Sequence, residues 1–485
     1  MISEQQLQVG LLTPHEEQEE DALFERVAGA LFGAAIADAM GWVTEFAHSP
    51  EDLRRRFKVD GITDFVTWEK KTGGRFYTYY EYIQPGEYSD DTQLTLCTAR
   101  SLRPDGTCDV QHFAETELPQ WLDYARGAGA TIMGAAKAIS RKKSAWNNNF
   151  FTFPRRARRF DYRQAGANGA AMRVAPIALA NVSHPGVLSK EVFRNAIVTH
   201  GHPRAILGAL VYARALQFLA ATRQPHLQDF LAALHEFVRA DHLAVLNDAE
   251  LSAWHERWNA GAEETTFEML WKQTQKEMEQ QLDVALNSRD HGVPVRQVLK
   301  ELGCLVPATK GSGTGTVAAA LAIFLRRGKS FKHTVVEAVN QIGSDTDTIG
   351  SMAAGLSGAY LGYTAIPERW ACRMQDFSYF LRVSEALTRM ALRRAQRNDL
   401  LLDRDYSTQS EAHNLLDVLQ RREVTNGMRV WHPLFGLGWV TYADSKPVRR
   451  KGAGSMLQAR VCFDVGQSCV FKSYLGRGAL KTLQR

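Results

Sequence analysis

Two short acidic motifs, far apart in the chain, carry the side chains best suited to chemistry. The first reads Y-S-D-D-T-Q at positions 88–93, and the second reads G-S-D-T-D-T-I-G at positions 343–350. Each is followed by the small and apolar pattern of a helix, so each places two carboxylates at a helix start. Asp, Ser and Thr are common N-caps, and capping alone explains either motif taken singly.

The two motifs together predict a metal centre. A cap needs one oxygen, whereas each motif brings two carboxylates and a hydroxyl into a small volume, where like charges repel unless a cation joins them. The six cysteines include no Cys-x-x-Cys pair that would bind zinc. Oxygen ligands favour hard ions, so we expect magnesium or manganese held by the four aspartates together with Ser89 and Thr348.

Three further segments could complete a site around these motifs. A run of small residues at 29–41 reads as a helix that ends shortly before Glu45, which alone could be an ordinary surface glutamate. Asn168 begins the run N-G-A-A-M-R, whose free backbone amides could receive phosphate oxygens, although Asn168 could equally be an N-cap. His200, in the run T-H-G-H-P, could contact a ligand or be a buried, hydrogen-bonded histidine.

The composition excludes several classes of protein. The chain has 485 residues, of which 45% are hydrophobic and 23% charged, as in a globular protein. A net charge of +5 is too small to gather nucleic acid by itself. The longest nearly apolar run, at 317–325, is shorter than the roughly 20 residues that cross a bilayer, and the N-terminus has no secretory signal pattern. We therefore expect a cytoplasmic protein without a membrane partner.

The elements that must position the motifs are mainly helices. Apolar residues recur three and four apart through residues 22–400, which predicts helices. An aromatic, glycine-containing segment at 60–87 interrupts this pattern and predicts a long loop or a short hairpin. Residues 426–485 contain short runs rich in Val, Phe, Tyr and Trp between Gly, Pro and Asp, and predict a separate small β-barrel in which Trp431, Phe435 and Trp439 form the core or, less favoured, a binding surface.

We expect four parts along the chain: an N-terminal extension (1–21), a helical catalytic domain (22–395), a linker with one short helix (396–425) and a small β module (426–485). Within the helical part, residues 141–165 interleave basic and aromatic side chains. A solvated loop near an anionic ligand is the favoured interpretation. A surface for single-stranded nucleic acid is the alternative.

The order of the motifs resembles the ADP-ribosylglycohydrolase family of the dinitrogenase-reductase-activating type. The resemblance rests on A-D-A-M-G and Glu45, then S-D-D-T-Q, N-G-A-A-M-R-V-A-P, T-H-x-x-P-R-A and S-D-T-D-T-I-G, and it covers about residues 22–385. Ser89 stands where the family usually has Thr, which preserves the hydroxyl oxygen. The C-terminal run V-W-H-P-L-F-G-L-G-W-V is similar to the tudor/SH3-like barrel that ends UvrD-type helicases, which implies a binding module.

The resemblance implies an orthogonal all-α catalytic domain with two divalent cations, Mg²⁺ or Mn²⁺. It implies the metal ligands Ser89, Asp90, Asp91, Asp345, Asp347 and Thr348. It implies catalytic roles for Glu45, Asp91 and Asp345. The implied substrate-binding residues are Asn168, Gly169, Ala170, Ala171 and His200. Asp38 is expected to support the site rather than to react, and the segment between Thr63 and Gly86 receives no assignment.

The implied activity is hydrolysis of the bond between the distal ribose of ADP-ribose and a protein side chain. Two other functions stay open at this point. One is a binding or immunity protein that recognises ADP-ribosylated targets or blocks an ADP-ribosyltransferase. The other is a hydrolase for ADP-ribosylated nucleic acid, which would bind through residues 141–165 and the C-terminal module.

Overall fold

The structure, a computed structural model, describes residues 14–74, 77–142, 144–155, 158–396, 412–448 and 454–475. Helices dominate the described part before residue 396. They are α1 (Pro14–Glu45), α2 (Pro50–Phe57), α3 (Asp90–Arg100), α4 (Val110–His112), α5 (Leu118–Trp121), α6 (Ala130–Lys142), α7 (Ala175–Ala180), α8 (Pro185–Ile197), α9 (Pro203–Ala221), α10 (Leu227–Arg239), α11 (Ala249–Ala260), α12 (Phe267–Asp290), α13 (Val295–Glu301), α14 (Gly313–Arg327), α15 (Phe331–Val339), α16 (Thr346–Leu361), α17 (Glu368–Ala371) and α18 (Phe377–Ala391).

The long helices α1 and α16 form the centre of this part because small residues let their backbones approach closely. A Cβ atom on Gly41 would lie 2.5 Å from the carbonyl oxygen of Thr346, closer than Cβ atoms come to other atoms. The hydroxyl of Thr346 donates to the carbonyl of Gly41 at 2.9 Å. The Thr44 hydroxyl lies 3.1 Å from the Thr346 hydroxyl. The C-terminal end of α1 is therefore fixed against the start of α16, where the second acidic motif lies.

The helical part also contains two β-hairpins, so the expectation of a purely α domain is wrong. One pairs β1 (Trp68–Gly74) with β2 (Tyr77–Ile83), which confirms the hairpin alternative for residues 60–87. The other pairs β3 (Thr152–Arg155) with β4 (Arg158–Asp161). Trp146 and Phe151, from the basic and aromatic segment, are buried, so they offer no open ring face for stacking a base.

The C-terminal part forms a five-stranded sheet in the order β5-β6-β7-β8-β9. Its elements are β5 (His413–Asn414), the short helix α19 (Leu415–Arg421), β6 (Arg429–His432), β7 (Gly436–Pro447), β8 (Ser455–Phe463) and β9 (Ser468–Leu475). Among the described residues the first and last strands do not pair, so the predicted barrel is not confirmed. Phe435 is buried in the core as expected, whereas Trp439 is half exposed.

The sheet packs directly on the helical part. The ring of Tyr124 lies 5.3 Å from that of Phe435 and 5.9 Å from that of Phe471, and one hydrophobic core runs through both parts. The Asp376 carboxylate accepts hydrogen bonds from the backbone N–H of Ser468 at 2.9 Å and from the Tyr88 hydroxyl at 2.6 Å. The C-terminal sheet therefore contributes to the surface around α3, and its boundaries as a separate module remain a prediction.

Two helices in the described part of the chain have the length and apolar composition of a membrane-crossing helix. They contain the stretches Glu16–Glu45 and Pro203–Ala221. Within the protein, 94% and 78% of their apolar windows are buried against other elements. Helices in the core of a globular protein often have the same length and apolar composition.

Candidate metal centre and active site

Three carboxylates from opposite ends of the helical part converge at one point. Glu45 is the last residue of α1, Asp345 is the residue preceding α16, and Asp347 lies in its first turn. One oxygen from each lies within 4.8 Å of the others. Burial raises the pKa of Glu45 to about 7, and the charge of Asp345 adds to that shift. The pKa of Asp347 is also raised, by burial and by repulsion from Glu45.

The first acidic motif lies beside this cluster. Asp90 and Asp91 begin α3, and both are buried. Burial raises the pKa of Asp90 to about 8, with a smaller contribution from the charge of Glu45. Burial also raises the pKa of Asp91, and the nearby charge of Asp345 adds to the shift. The structure thus brings the two acidic motifs together, as the sequence predicts.

The hydroxyl residues and Asp38 organise the acidic helix starts. Ser89 caps α3, because its hydroxyl accepts the N–H of Asp91 at 3.2 Å. Asp38, fully buried within α1, accepts the backbone N–H of Ser89 at 3.2 Å and that of Thr92 at 3.1 Å. Thr348 is buried, and its side chain opposes the upward pKa shift of Asp91. Asp38 therefore holds the first motif in place, consistent with the supporting role expected for it.

The segment 168–171 contacts the cluster through its first residue. The Asn168 side-chain amide donates to Asp345 Oδ2 at 2.8 Å and to the Thr316 hydroxyl at 3.2 Å. Ala170 and Ala171 are fully buried. The expected helix start is instead a single 3₁₀ turn at Ala171–Arg173, and α7 begins later. Asn168 therefore orients a carboxylate of the cluster, a contact that the sequence did not indicate.

The ring of His200 lies against Gly169. A Cβ atom on Gly169 would lie 2.8 Å from Cε1 of His200, so a larger residue would displace the ring. Burial lowers the pKa of His200 well below its usual range, with a contribution from Arg173, and the imidazole is neutral. Nδ1 lies 2.7 Å from the Thr199 hydroxyl, whereas the buried Nε2 has no hydrogen-bond partner among the described residues. Nε2 is thus a buried nitrogen that is left unsatisfied by the described residues.

Two lysines that sequence reasoning missed face the carboxylates. Lys70 on β1 is buried, with Nζ 4.6 Å from the ring centroid of Trp42 and 4.7 Å from that of Phe46. Burial lowers its pKa, and the charge of Asp90 opposes that shift. The positive charge of Lys310 opposes the upward pKa shift of Glu45. Lys70 lies between Thr63 and Gly86, the segment to which the sequence motifs assign no role. The β1–β2 hairpin brings it to the site.

The donor set fits a hard divalent cation. Asp91 Oδ2 is buried and receives no hydrogen bond from the described residues. The carboxylates around it outnumber the nearby lysines, and the raised pKa values of Asp91 and Asp347 reflect a repulsion that a divalent cation would relieve. All the oxygens belong to carboxylates and hydroxyls, the ligands that Mg²⁺ and Mn²⁺ prefer.

Comparison with known proteins agrees with this geometry. Residues 19–401 match the sequence pattern of the family described as ADP-ribosylglycohydrolase. The chain belongs to this family. The matched range contains both acidic motifs, Glu45, Asn168 and His200, and it ends before the C-terminal sheet begins. Members of this family hydrolyse ADP-ribose conjugates and generally depend on divalent metal ions, so the prediction of an enzyme is confirmed at the level of the family.

Three curated members of the family have sequences similar to this ADP-ribosylglycohydrolase. The ADP-ribosyl-(dinitrogen reductase) glycohydrolase of Rhodospirillum rubrum is 30% identical over 42% of this chain and 60% of that protein. The ADP-ribosylhydrolase ARH3 of Mus musculus is 29% identical over 73% of this chain and 88% of its own. The ADP-ribosylarginine hydrolase Tri1 of Serratia proteamaculans is 29% identical over 33% of this chain and 38% of its own. The chain therefore spans less than two thirds of the length of the Rhodospirillum rubrum protein.

Proposed function

We propose that the protein hydrolyses the bond between C1 of the distal ribose of ADP-ribose and an acceptor on a protein. The observation that carries this proposal is the convergence of Glu45, Asp345 and Asp347 beside Asp91 in a chain of this family. Such a reaction passes through an oxocarbenium-like transition state, which nearby carboxylates stabilise. The names of the relatives indicate protein substrates, including dinitrogen reductase and ADP-ribosylarginine.

Two divalent cations, Mg²⁺ or Mn²⁺, are part of the proposal. The residues that would hold them are Ser89, Asp90, Asp91, Asp345, Asp347 and Thr348, with Glu45 at the edge of the set. When bound, such ions supply charge stabilisation and orient ribose hydroxyls and water. Asn168 would support this centre by holding Oδ2 of Asp345 through its amide, which leaves the other oxygen of that carboxylate free to face a cation.

Glu45 is the proposed general acid or base. A pKa of about 7 lets the same carboxyl group hold or release a proton near neutral pH, which is the condition for efficient proton transfer. Glu45 is less buried than Asp347 in the same cluster. Glu45 would protonate the leaving group or accept a proton from the attacking water.

The ligand pocket is proposed to include Asn168 to Ala171 and His200. The unpartnered Nε2 of the neutral His200 would donate to, or accept from, a ribose or diphosphate oxygen. Gly169 keeps that ring in place because it has no side chain. The C-terminal sheet as a tudor/SH3-like binding module remains a prediction. No observation favours nucleic acid as the acceptor, because the aromatic residues Trp146 and Phe151 are buried.

The proposal is tested by measuring ADP-ribose release from three substrates: protein modified on arginine, protein modified on serine, and an ADP-ribosylated oligonucleotide. Each reaction is run with Mg²⁺, with Mn²⁺ and with chelator. We expect release from at least one protein substrate with a divalent ion and none with chelator. Tight binding of modified protein without release would favour the immunity or binding function, and exclusive release from the oligonucleotide would contradict the protein acceptor.

A further inference from the structure

Lys70 is a positive charge held against aromatic rings beside the acidic cluster. Its Nζ lies 4.6 Å from the ring centroid of Trp42 and 4.7 Å from that of Phe46, two rings at the C-terminal end of α1. The ring of Trp68, two residues before Lys70 on β1, packs edge-on against Trp42 at 5.3 Å and stacks on Phe46 at 6.1 Å. Cation–π contacts of this kind stabilise a positive charge at this position.

The ammonium group of Lys70 meets the first acidic motif beside Gly127. A Cβ atom on Gly127 would lie 2.8 Å from Asp90 Oδ1, 3.1 Å from Trp42 Nε1 and 3.4 Å from Lys70 Nζ, so these three atoms converge on one point. Trp42 is fully buried, and its Nε1 has no hydrogen-bond partner among the described residues. Lys70 Nζ forms no ion pair with any of these residues. Two nitrogen donors therefore lack an acceptor at the edge of the cluster.

The hairpin that carries Lys70 is fixed by the C-terminal sheet. Glu81, the cross-strand partner of Lys70, accepts from Lys472 Nζ of β9 at 2.8 Å. Tyr79 of β2 packs on Met456 of β8. The family pattern stops at residue 401, so this support comes from outside the matched region. The sheet therefore helps to hold the Lys70 ammonium group at the site.

Lys70 also lies close to Glu45, the proposed acid or base. Glu45 directly precedes Phe46, whose ring contacts the ammonium group, and the charge of Lys70 opposes the upward pKa shift of Glu45. The charge of Lys310 opposes that pKa shift too, and Lys310 Nζ donates to the Ser344 carbonyl at 3.3 Å. A leaving group that exchanges a proton with Glu45 would therefore depart beside two positive charges.

These charges affect oxygen and guanidinium acceptors in opposite ways. For a hydroxyl acceptor, the C1–O bond would break with its electron pair on the acceptor oxygen, which takes the proton of Glu45. Water would then add its hydroxide to C1 and return a proton to Glu45. The departing oxygen develops negative charge, which a nearby ammonium group stabilises. An ADP-ribosylated guanidinium group is positively charged before the C1–N bond breaks, so the same ammonium group repels it.

We propose that Lys70 is a specificity-determining residue that selects an acceptor leaving as an oxygen, such as serine, over arginine. The inference rests on the proposed function, because it names the acceptor of the same reaction. The carboxylates of the cluster do not reverse this preference, since they are the proposed ligands of two divalent cations, whose charge they balance. The faces of Trp42 and Phe46, which would attract a guanidinium group, already hold the ammonium group of this chain.

The test compares ADP-ribose release from two peptides of the same sequence, modified on serine in one and on arginine in the other, by the full chain with Mg²⁺. We expect the wild type to favour the serine peptide. Lys70→Met removes the charge and keeps an unbranched side chain that packs against aromatic rings. This variant should lower kcat for the serine peptide about tenfold and lower KM for the arginine peptide about tenfold.

Two further variants separate the charge from a general effect on the site. Lys70→Arg keeps the positive charge and should keep the preference for serine. Lys71→Met is the matched control, because Lys71 is the next residue on β1 and is exposed, and it should retain wild-type values of kcat and KM.

A serine-to-arginine ratio of kcat/KM that Lys70→Met leaves unchanged would overturn the inference, as would a wild type that favours the arginine peptide. Equal losses on both peptides, or a Lys70→Arg variant that behaves like Lys70→Met, would overturn it too and would assign Lys70 to general support of the site. Failure of the proposed function is a different result. It would appear as no release from either peptide by the wild type, and it would remove the inference as well.

Discussion

Two groups of buried carboxylates on the two sides of the β1–β2 hairpin have pKa values shifted in opposite directions. At the acidic cluster, burial raises the pKa of Glu45 to about 7 and that of Asp90 to about 8. At the junction with the C-terminal sheet, Glu81 is just as buried, yet Lys472 and Arg126 overcome the burial and lower its pKa to about 2. Burial alone therefore does not determine the protonation state, and the local balance of charge does.

This difference separates a structural site from one that requires a ligand. Arg126 pairs with Glu81 and Glu87, and Lys472 and Arg460 come from the sheet to complete a closed network. The acidic cluster has no such closure among the described residues, since its carboxylates outnumber the nearby lysines Lys70 and Lys310. A network that satisfies its own charges stabilises the fold, whereas an excess of one sign marks a site for a counter-ion.

The largest expected effect comes from Asp345→Asn. This change retains the acceptor for Asn168 but removes one negative charge from the cluster, so ADP-ribose release should fall by at least about 10³-fold. In chelator, the free energy of unfolding should not fall, because a source of repulsion has been removed. Release kinetics and urea unfolding measure the two. Full activity of the variant, or a large loss of stability, would show that Asp345 is not part of a cation-binding cluster.

The opposite pattern is expected for Glu81→Gln. Here a paired charge is removed and Arg126 and Lys472 stay buried, so the free energy of unfolding should fall by about 3–5 kcal/mol. Glu69→Gln is the matched control, because Glu69 lies on the same hairpin but is exposed, and its effect should be within about 0.5 kcal/mol. Urea unfolding with Mg²⁺ present gives both values. Equal stability of the two variants would refute the structural role.

Acid titration sharpens the same comparison. A carboxyl whose pKa is lowered from 4.5 to about 2 stabilises the folded state fully above pH 4.5, and loses that contribution as the pH falls towards 2. The contribution is about 3 kcal/mol. The stability difference between wild type and Glu81→Gln should therefore be constant near neutral pH and shrink below pH 4.5. A difference that persists unchanged at pH 3 would exclude this origin.

A smaller effect is expected for Glu45→Gln. Loss of a general acid or base lowers kcat by about 10²-fold, with KM changed far less. Because Glu45 is the proposed proton donor or acceptor, the limb of the pH profile of kcat/KM that its titration produces should disappear in the variant. Steady-state kinetics from pH 5 to pH 9 measure both. A wild-type profile retained by Glu45→Gln would assign the proton transfer to another group.

The sequence predicted the site better than its surroundings. Motif order identified the residues at the starts of α3 and α16, because a helix start with two carboxylates is a local pattern. It missed Lys70, whose role depends on a hairpin register that pairs it with Glu81. It also missed the contact between Asn168 and Asp345, which only the tertiary fold creates. The packing of the C-terminal sheet on the helices was not predicted, since buried ion pairs such as Lys472–Glu81 join residues distant in sequence.

The central claim is that the acidic cluster binds divalent cations, and calorimetric titration of Mn²⁺ into the metal-stripped full chain tests it most directly. We predict saturable binding by the wild type, with two equivalents per chain, and loss of at least one equivalent in Asp345→Asn. Glu69→Gln changes an exposed carboxylate that is not part of the cluster, so this variant should bind Mn²⁺ like the wild type. Wild-type protein that takes up no Mn²⁺ and no Mg²⁺ at millimolar concentration would contradict the account.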